Sequence, residues 1–305
     1  MERNTRKNEP LVYIILLNYN GSKDTIECVR SIEQINYTNY KIVIIDNCST
    51  KYQKDMLIPL MTSNCTIINN NINSGYAGGN NKGIEFALNN GAEYICVLNN
   101  DTIVDKYFLD NMISDFYKNK NIGVVCPKIF EYYNREKVSY GGAEINYIKG
   151  GVYIYGINNE NEKMVNSARN ISFATGCCML VKRDVFNTIG LLPEEYFLYF
   201  EDADFSIKVN RLFEIHYDPQ AIIYHKESAS TQKNSDNYQY YFIRNRLHFI
   251  KENFKLIHKI TAYPITILYI VKKYVQGLFS KENIVDAIRD YQNNTFGIRG
   301  GRNET

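Results

Sequence analysis

The chain has 305 residues, of which 45% are hydrophobic and 13% aromatic, so it can bury a sizeable core in one large domain or two smaller ones. Its 35 basic and 33 acidic residues give a net charge of +2, which argues against a nucleic-acid partner. The seven cysteines form no Cys-x-x-Cys pair, which favours reduced thiols over disulfides or a zinc site. Residues 1–10 are polar and lack the apolar stretch of a secretory signal, so we expect a cytoplasmic protein.

Apolar runs of strand length alternate with helical patterns through the first part of the chain. The runs are 11–17, 41–45, 65–68 and 94–98. Strands that alternate with helices form βαβ units, so we predict an α/β fold with a Rossmann-like, mostly parallel central sheet flanked by helices. The carboxyl ends of such strands lie at one edge of the sheet, where open α/β sheets bind their ligands.

Polar clusters follow these runs. Asn99, Asn100 and Asp101 end the run 94–98, and a carboxylate there can hold a hard cation and, through it, a phosphate. Asp46 follows the second run and can accept a hydrogen bond from a pyrimidine or a ribose. The alternative for both carboxylates is a turn or a helix cap.

A glycine- and amide-rich segment, 73–83, precedes an apolar helix. We interpret it as a loop whose glycines let the backbone approach a ligand closely. The segment fits neither the G-x-G-x-x-G pattern nor the P-loop, which disfavours a P-loop NTPase.

The order of these motifs resembles the nucleotide-binding half of the family-2 inverting glycosyltransferases, which have the GT-A fold, and above all their rhamnosyltransferase-like branch. The motifs are Asn18-Tyr19-Asn20-Gly21, Asp46-Asn47-Cys48-Ser49-Thr50, Asn73-Ser74-Gly75-Tyr76-Ala77-Gly78-Gly79-Asn80-Asn81 and Asn99-Asn100-Asp101. The resemblance extends over about residues 11–250.

The resemblance implies roles for several of these residues. Asp46 would contact the base, Asn99 would face the ribose or the phosphates, and Asp101 would bind a divalent metal, Mg²⁺ or Mn²⁺. The remaining donor-binding candidates in these motifs are Asn18, Gly75, Asn81 and Asn100. Asn99 stands where the wider family has a carboxylate, so this chain offers the metal one anionic ligand fewer.

The second half begins with an amphipathic helix at 106–118, short strands at 123–126 and 128–130, and a polar hairpin region at 132–170. We interpret the tyrosines of the hairpin region as cover for a sheet rather than as the lining of an acceptor groove. The run 173–181 is predicted as a strand with small residues at its centre. In the family the matching strand borders the donor sugar, which makes Gly176 a candidate contact.

Acidic residues follow an aromatic run at 196–200, and helical spacing continues after them. Glu201 and Asp202 therefore lie at a helix N-terminus, and the helix dipole alone would favour acids there. The resemblance assigns the catalytic general base to Asp202, with Glu201 and Asp204 as supports or acceptor contacts. We expect the helix end to keep Asp202 ionised at neutral pH.

His225 ends a predicted strand at 221–224, and the resemblance makes it a second metal ligand beside Asp101. A lone histidine is otherwise more often structural. Lys226, Ser228 and Ser230 are possible phosphate contacts in the loop that follows.

Two arginines lie in the predicted helix around 240–250. Arg244 is a candidate to neutralise a diphosphate. For Arg246 we prefer a solvated helix face.

We expect a polar segment at 1–10, a catalytic domain at 11–250 with a nucleotide-binding half (11–104) and an acceptor half (105–250), a helical extension at 251–292 and a disordered tail at 293–305. The apolar stretch 260–271 is shorter than the roughly 18–20 residues that span a membrane. It suits a helix within 254–279 that lies on the inner face of the plasma membrane or packs on the domain. Whether the chain forms a homodimer is left open.

The predicted function is therefore an inverting glycosyl transfer from a nucleoside-diphosphate sugar, TDP-rhamnose first and a UDP-sugar second, to a glycan or a lipid-linked glycan. One alternative is a nucleotidyltransferase, which usually has a basic glycine-rich loop where this chain has 18–21. The other is a non-catalytic nucleotide-sugar-binding or scaffold relative, against which Asp101 and Asp202 argue.

Overall fold

The computed structural model describes residues 9–157, 161–226 and 235–299. Its strands are β1 (Val12–Asn18), β2 (Tyr40–Asp46), β3 (Cys65–Asn69), β4 (Tyr94–Asn99), β5 (Thr102–Val104), β6 (Ile122–Glu131), β7 (Val138–Tyr140), β8 (Ala143–Asn146), β9 (Gly151–Ile154), β10 (Arg169–Ile171), β11 (Cys178–Lys182) and β12 (Glu214–His225). Its helices are α1 (Ser22–Ile32), α2 (Lys51–Leu57), α3 (Gly75–Asn89), α4 (Phe108–Lys118), α5 (Glu162–Val165), α6 (Arg183–Ile189), α7 (Glu201–Val209), α8 (Asp236–Asn253), α9 (Leu256–Val275) and α10 (Lys281–Gln292).

One mixed sheet organises the molecule, with the strand order β10-β12-β6-β11-β4-β1-β2-β3. Strands β3, β2, β1 and β4 are parallel, and so are β6 and β12. Strand β11 joins the two groups by pairing antiparallel with β4 and β6. This arrangement, with helices packed on the sheet, confirms the predicted α/β fold with a mostly parallel sheet.

The register of the parallel strands brings the polar clusters together. Asn18 is paired with Asp46, and Leu17 is paired with Asn99 on the other side of β1. The residues before these ends are almost fully buried. Strands buried on both faces appear in a sequence as continuous apolar runs, which is why the sequence predicts them well.

The glycine-rich segment forms a helix rather than a loop. Helix α3 begins at Gly75. A Cβ atom on Gly79 would lie 2.3 Å from Leu17 Cδ1, and a Cβ atom on Gly83 would lie 2.4 Å from Ile15 Cγ2. These glycines therefore let the helix pack closely on β1, so Gly79 faces Leu17 rather than the ligand that we expected it to admit. Glycine and asparagine have low helix propensities, but tertiary packing overrides them here.

The predicted strand 173–181 is shorter than expected, since β11 begins at Cys178. Two of the backbone N–H groups ahead of it bind side chains of α7. Ala174 N donates to Ser206 Oγ at 2.9 Å, and Gly176 N donates to Asp202 Oδ2 at 3.0 Å.

Helices α8, α9 and α10 form the C-terminal extension, and a second apolar cluster lies between them. One face of α9 is packed on the domain through Ala262, Thr266 and Ile270. None of the helices in the described residues is long and apolar enough to cross a membrane. Residues 293–299, at the start of the segment expected to be disordered, contact the domain, and Gly297 N donates to Glu195 O at 2.9 Å.

Candidate active site

A hydrogen-bond network joins the ends of β1, β2 and β4. Asn18 Nδ2 donates to Asp46 Oδ2 at 2.8 Å and to Ser49 Oγ at 3.1 Å, while Asn18 Oδ1 accepts from Thr25 Oγ1 at 2.9 Å. Asn100 Nδ2 donates to the same threonine hydroxyl at 2.8 Å. The network fixes the strand ends relative to α1, so Asn18 and Asn100 have a structural part here and their contact with a donor stays a prediction.

Asp46 is fully buried. Its Oδ1 accepts from Ser49 N at 2.9 Å, and Lys54 Nζ lies 3.7 Å from the same oxygen. Both carboxylate oxygens are thus engaged inside the chain. Contact of this side chain with a base remains a prediction.

Asp101 and His225 meet, as the predicted metal pair requires. Strand pairing of β5 with β12 sets His225 opposite Thr102, and His225 Nε2 lies 3.1 Å from Asp101 Oδ1. Burial opposes a charge on the imidazole, but the Cys177 thiol and the Asp101 carboxylate outweigh it and raise the pKa of His225 above its usual value.

These oxygen and nitrogen donors suit a divalent cation that takes its remaining ligands from substrate phosphates and water, as Mg²⁺ commonly does. The described part of the chain contains no cluster of three or more acidic, histidine or cysteine ligands. Asn99, at the end of β4, is half-buried, and its backbone N–H donates to Cys177 O at 2.9 Å.

Lys226 follows His225 but is paired within the protein. Its Nζ lies 2.8 Å from Asp24 Oδ1 and 2.6 Å from Glu27 Oε2, and these contacts outweigh burial to raise its pKa. The other two predicted phosphate contacts, Ser228 and Ser230, lie outside the described residues.

The Asp202 carboxyl is held at the N-terminus of α7 by two backbone N–H groups. Gly176 N donates to Oδ2 at 3.0 Å, and Ala203 N donates to Oδ1 at 2.8 Å. Gly176 therefore orients the candidate base. Its own carbonyl accepts a short hydrogen bond from the Tyr76 hydroxyl, a residue that sequence reasoning did not single out.

Burial opposes ionisation of this acidic pair. It raises the pKa of Asp202 to about 6, because the backbone N–H groups offset only part of the desolvation. Glu201 is 5% exposed, and burial followed by the charge of Asp202 raises its pKa well above the usual value. Asp202 is therefore mostly ionised at neutral pH but takes up a proton readily, and Glu201 is harder to ionise than an exposed glutamate.

A strained aromatic turn leads into α7. Phe197, Tyr199 and Phe200 have φ values of 63°, 69° and 75°, in the left-handed region that such residues rarely adopt. Asn245 Nδ2 donates to the carbonyls of Leu198 and Tyr199 at 2.7 and 3.0 Å. The turn leads directly into Glu201 and Asp202, so Asn245 is a candidate positioning residue.

Arg244 is fully buried beside Asn245. It donates to Tyr196 O at 3.0 Å and to Gly297 O at 2.7 Å. These bonds tie the aromatic turn to the C-terminal segment. Neutralisation of a diphosphate by Arg244 stays a prediction.

Three more of the predicted residues make contacts around the site, namely Asp204, Asn81 and Gly75. Asp204 Oδ2 accepts from the Tyr196 hydroxyl at 3.0 Å, and Asn81 Nδ2 donates to Leu192 O at 2.9 Å. Gly75 has a φ of 73°, and a Cβ there would lie 2.4 Å from Phe197 O. Contact of Asn81 or Gly75 with a donor is likewise still a prediction.

A cavity of about 650 Å³ opens beside Asp202. Its walls are mostly aromatic and aliphatic, and they include Tyr153 of β9, Phe242 of α8 and Tyr269 of α9. The interpretation of all hairpin tyrosines as sheet cover is thus wrong for Tyr153. The solvated face expected for Arg246 is also wrong, since this side chain is 8% exposed and lines the cavity.

The sheet order and the flanking helices are those of the GT-A fold. Two solved structures share this fold. A structure of GalNAc-T7 with UDP, GalNAc and Mn²⁺ has a TM-score of 0.62 and 15% identity over 80% of this chain and 48% of that one. The mannosyltransferase PcManGT of Pyrobaculum calidifontis, with GDP-Man and Mn²⁺, has a TM-score of 0.57 and 14% identity over 95% of this chain and 84% of that one.

Residues 13–190, more than half of the chain, match the family model of glycosyl transferase family 2, and the protein belongs to this family. It is 25% identical to the low-salt glycan biosynthesis hexosyltransferase Agl10 of Haloferax volcanii, over 92% of this chain and 91% of the relative. It is 23% identical to the dTDP-rhamnosyl transferase RfbF of Shigella flexneri, over 79% of this chain and 80% of the relative. The prediction of a glycosyltransferase is confirmed.

Proposed function

We propose that this glycosyltransferase moves a sugar from a nucleoside diphosphate to a hydroxyl group of a growing glycan, with inversion at the anomeric carbon. The observation that carries the proposal is the Asp202 carboxyl, which two backbone N–H groups hold at the wall of the 650 Å³ cavity. A carboxyl with a pKa of about 6 is mostly ionised at pH 7 and close to the value that favours proton transfer.

In the proposed reaction the acceptor hydroxyl oxygen attacks the anomeric carbon and its proton passes to Asp202. The new carbon–oxygen bond forms as the bond to the diphosphate breaks, and the nucleoside diphosphate leaves with the electron pair. The leaving group needs no general acid, unlike the leaving group in glycoside hydrolysis. Glu201, next to Asp202 in the cavity wall, would contact the acceptor or support the base.

Asp101 and His225 would hold a Mg²⁺ or Mn²⁺ ion, which supplies positive charge against the leaving diphosphate. The 3.1 Å separation of their donor atoms supports this assignment. The two similar solved structures, both obtained with Mn²⁺ and a nucleotide or nucleotide sugar, support it further.

TDP-rhamnose is the first donor to test and UDP-sugars are the second, because one relative is named as a dTDP-rhamnosyl transferase. A thermal-shift panel of TDP-, UDP- and GDP-sugars with Mn²⁺ identifies the donor, since a ligand at 100 times its Kd stabilises by about 2.7 kcal/mol. The matching donor should release nucleoside diphosphate slowly without an acceptor. EDTA and the variant His225→Gln should each reduce both signals. If no donor shifts the melting temperature or is hydrolysed, the proposal fails.

The outer face of α9 is the surface through which we propose that the protein contacts membranes. Leu268 and Val271 on this face are 67% and 50% exposed, and lysines lie near both ends of the helix. An apolar face flanked by lysines suits an anionic bilayer surface. It would hold a cytoplasmic enzyme at the inner face of the plasma membrane, close to lipid-linked acceptors.

Co-sedimentation with phosphatidylglycerol vesicles tests this contact. The double variant Leu268→Glu/Val271→Glu should abolish binding. Val285→Glu on α10, which replaces a 51% exposed valine, is the matched control and should leave it intact. Equal sedimentation of the two variants would overturn the proposal.

A further inference from the structure

Arg246 is a buried cation that the proposed mechanism does not use. Its side chain is 8% exposed and lines the same cavity as Asp202. The guanidinium carbon lies 5.5 Å from the ring centre of Phe242 and 5.1 Å from that of Tyr269. The two rings pack against the guanidinium.

The charge of Arg246 lacks a counter-ion within the described part of the chain. Its Nη2 donates to Lys149 O, and its Nε has no hydrogen-bond partner there. Burial lowers the pKa of this guanidinium, and no carboxylate contributes to the shift. Arg244, two residues earlier, contrasts with it because its guanidinium nitrogens bind several carbonyls.

A desolvated charge without a partner is costly, so a buried unpaired guanidinium is usually completed by an anion. Carboxylates and phosphates match its planar fork of N–H donors. The rest of the wall is largely apolar, formed by side chains such as Val152, Ile154 and Phe200. The cavity therefore suits a molecule with an apolar part and one oxyanion.

We propose that Arg246 binds an oxyanion of the acceptor, either a phosphate that links the glycan to an apolar carrier or a carboxylate of an acidic glycan. This inference rests on the proposed function, because it takes the cavity beside Asp202 as the acceptor site. Arg246 would hold the anionic end of the acceptor while the reacting hydroxyl lies at Asp202.

Calorimetry with three probes that share one alkyl chain tests the inference. The probes are decyl phosphate, decyl glucuronide and the neutral decyl glucoside, each below its critical micelle concentration. Wild-type protein should bind decyl phosphate, decyl glucuronide or both more tightly than the glucoside. A preference for the phosphate indicates a phosphate-linked carrier, and a preference for the glucuronide indicates an acidic glycan.

Arg246→Gln should weaken binding of the preferred charged probe roughly 10- to 100-fold, which corresponds to the free energy of a hydrogen bond to a charged group. Binding of the glucoside should stay unchanged, which shows that the cavity is intact. Arg246→Lys keeps the charge and should retain part of the preference. Arg211→Gln is the control, because Arg211 is an exposed arginine after α7.

The inference is overturned if wild-type protein binds all three probes equally, or if Arg246→Gln keeps the preference for the charged probe. Donor hydrolysis by the wild-type protein without an acceptor is measured in parallel. Its absence from the wild type would count against the proposed function, whereas the probe measurements report on the oxyanion site alone.

Discussion

Replacing Asn245 by leucine removes the hydrogen bonds that hold the aromatic turn before α7 while keeping the volume of the side chain. Asn245 is fully buried, and its Nδ2 lies 2.7 Å from Tyr196 O, 2.7 Å from Leu198 O and 3.0 Å from Tyr199 O. Leucine offers no donor to these three carbonyls. The turn then loses the contacts that keep it in its left-handed conformation.

The size of the effect follows from two opposing terms. Each lost hydrogen bond is worth about 1 kcal/mol, and a carbonyl left buried without a partner costs about 1–3 kcal/mol. Each residue held at positive φ stores about 1–3 kcal/mol of strain, which the turn can release once the bonds are gone. We therefore expect the free energy of unfolding to fall by roughly 2–4 kcal/mol, with relaxation of the turn limiting the loss.

Urea unfolding and donor turnover measure the two consequences. Because the turn sets the position of Asp202, and a shift of about 1 Å can cost about 10²-fold in rate, kcat should fall by about that factor. Donor binding in the thermal-shift assay should persist, because the candidate metal ligands Asp101 and His225 lie after β4 and at the end of β12, outside the aromatic turn.

Asn210→Ala is the matched control. Asn210 also donates through its amide to two backbone carbonyls, of Ser172 at 2.9 Å and Ser206 at 2.9 Å, but it lies at the far end of α7 and is exposed. It should cost at most about 1 kcal/mol and leave kcat unchanged. Wild-type kcat in a folded Asn245→Leu protein would refute the positioning role.

Three further predictions follow from the site and its packing. Activity should rise with pH through about 6, the pH at which Asp202 ionises. The free energy of unfolding should decline as pH rises from about 4, the pKa of Asp202 in the unfolded chain, to about 6, because the neutral carboxyl that stabilises the folded state is lost, and Asp202→Asn should remove this decline. Activity and stability that do not change over this pH range would contradict the raised pKa. Gly83→Ala should lower the free energy of unfolding by about 1–2 kcal/mol, because the new Cβ would lie 2.4 Å from Ile15 Cγ2. This overpacking outweighs the gain in helix propensity, and an increase in the urea midpoint of unfolding would contradict the prediction. Tyr76→Phe removes the hydrogen bond to Gly176 O and should lower kcat about tenfold without changing donor affinity, so an unchanged kcat would argue against this positioning bond.

The parallel half of the fold is predictable from the sequence because strands buried on both faces leave continuous apolar runs. Their polar ends must then meet at one edge, and the pairing of Asn18 with Asp46 agrees. The meeting of Asp101 with His225 was expected only from the family resemblance, since β12 is remote in the chain.

Features that depend on tertiary pairing were not predictable in this way. Gly79 resembles a loop residue until Leu17 is known to lie against it. Arg246 lies on a helix with many charges, and it is buried by tertiary contacts with Tyr269 of α9 and with the Lys149 carbonyl between β8 and β9. The pKa of Asp202 rises because its burial outweighs the helix end, a balance that the sequence pattern does not contain.

The most direct test of Asp202 as the general base is the turnover of Asp202→Asn with the donor found in the thermal-shift panel. The amide keeps the shape of the side chain and its acceptor oxygen for one backbone N–H but cannot take up a proton. Donor binding should be retained, and turnover should fall by about 10²- to 10⁴-fold. Near-normal turnover with intact donor binding would contradict the assignment of Asp202 as the general base.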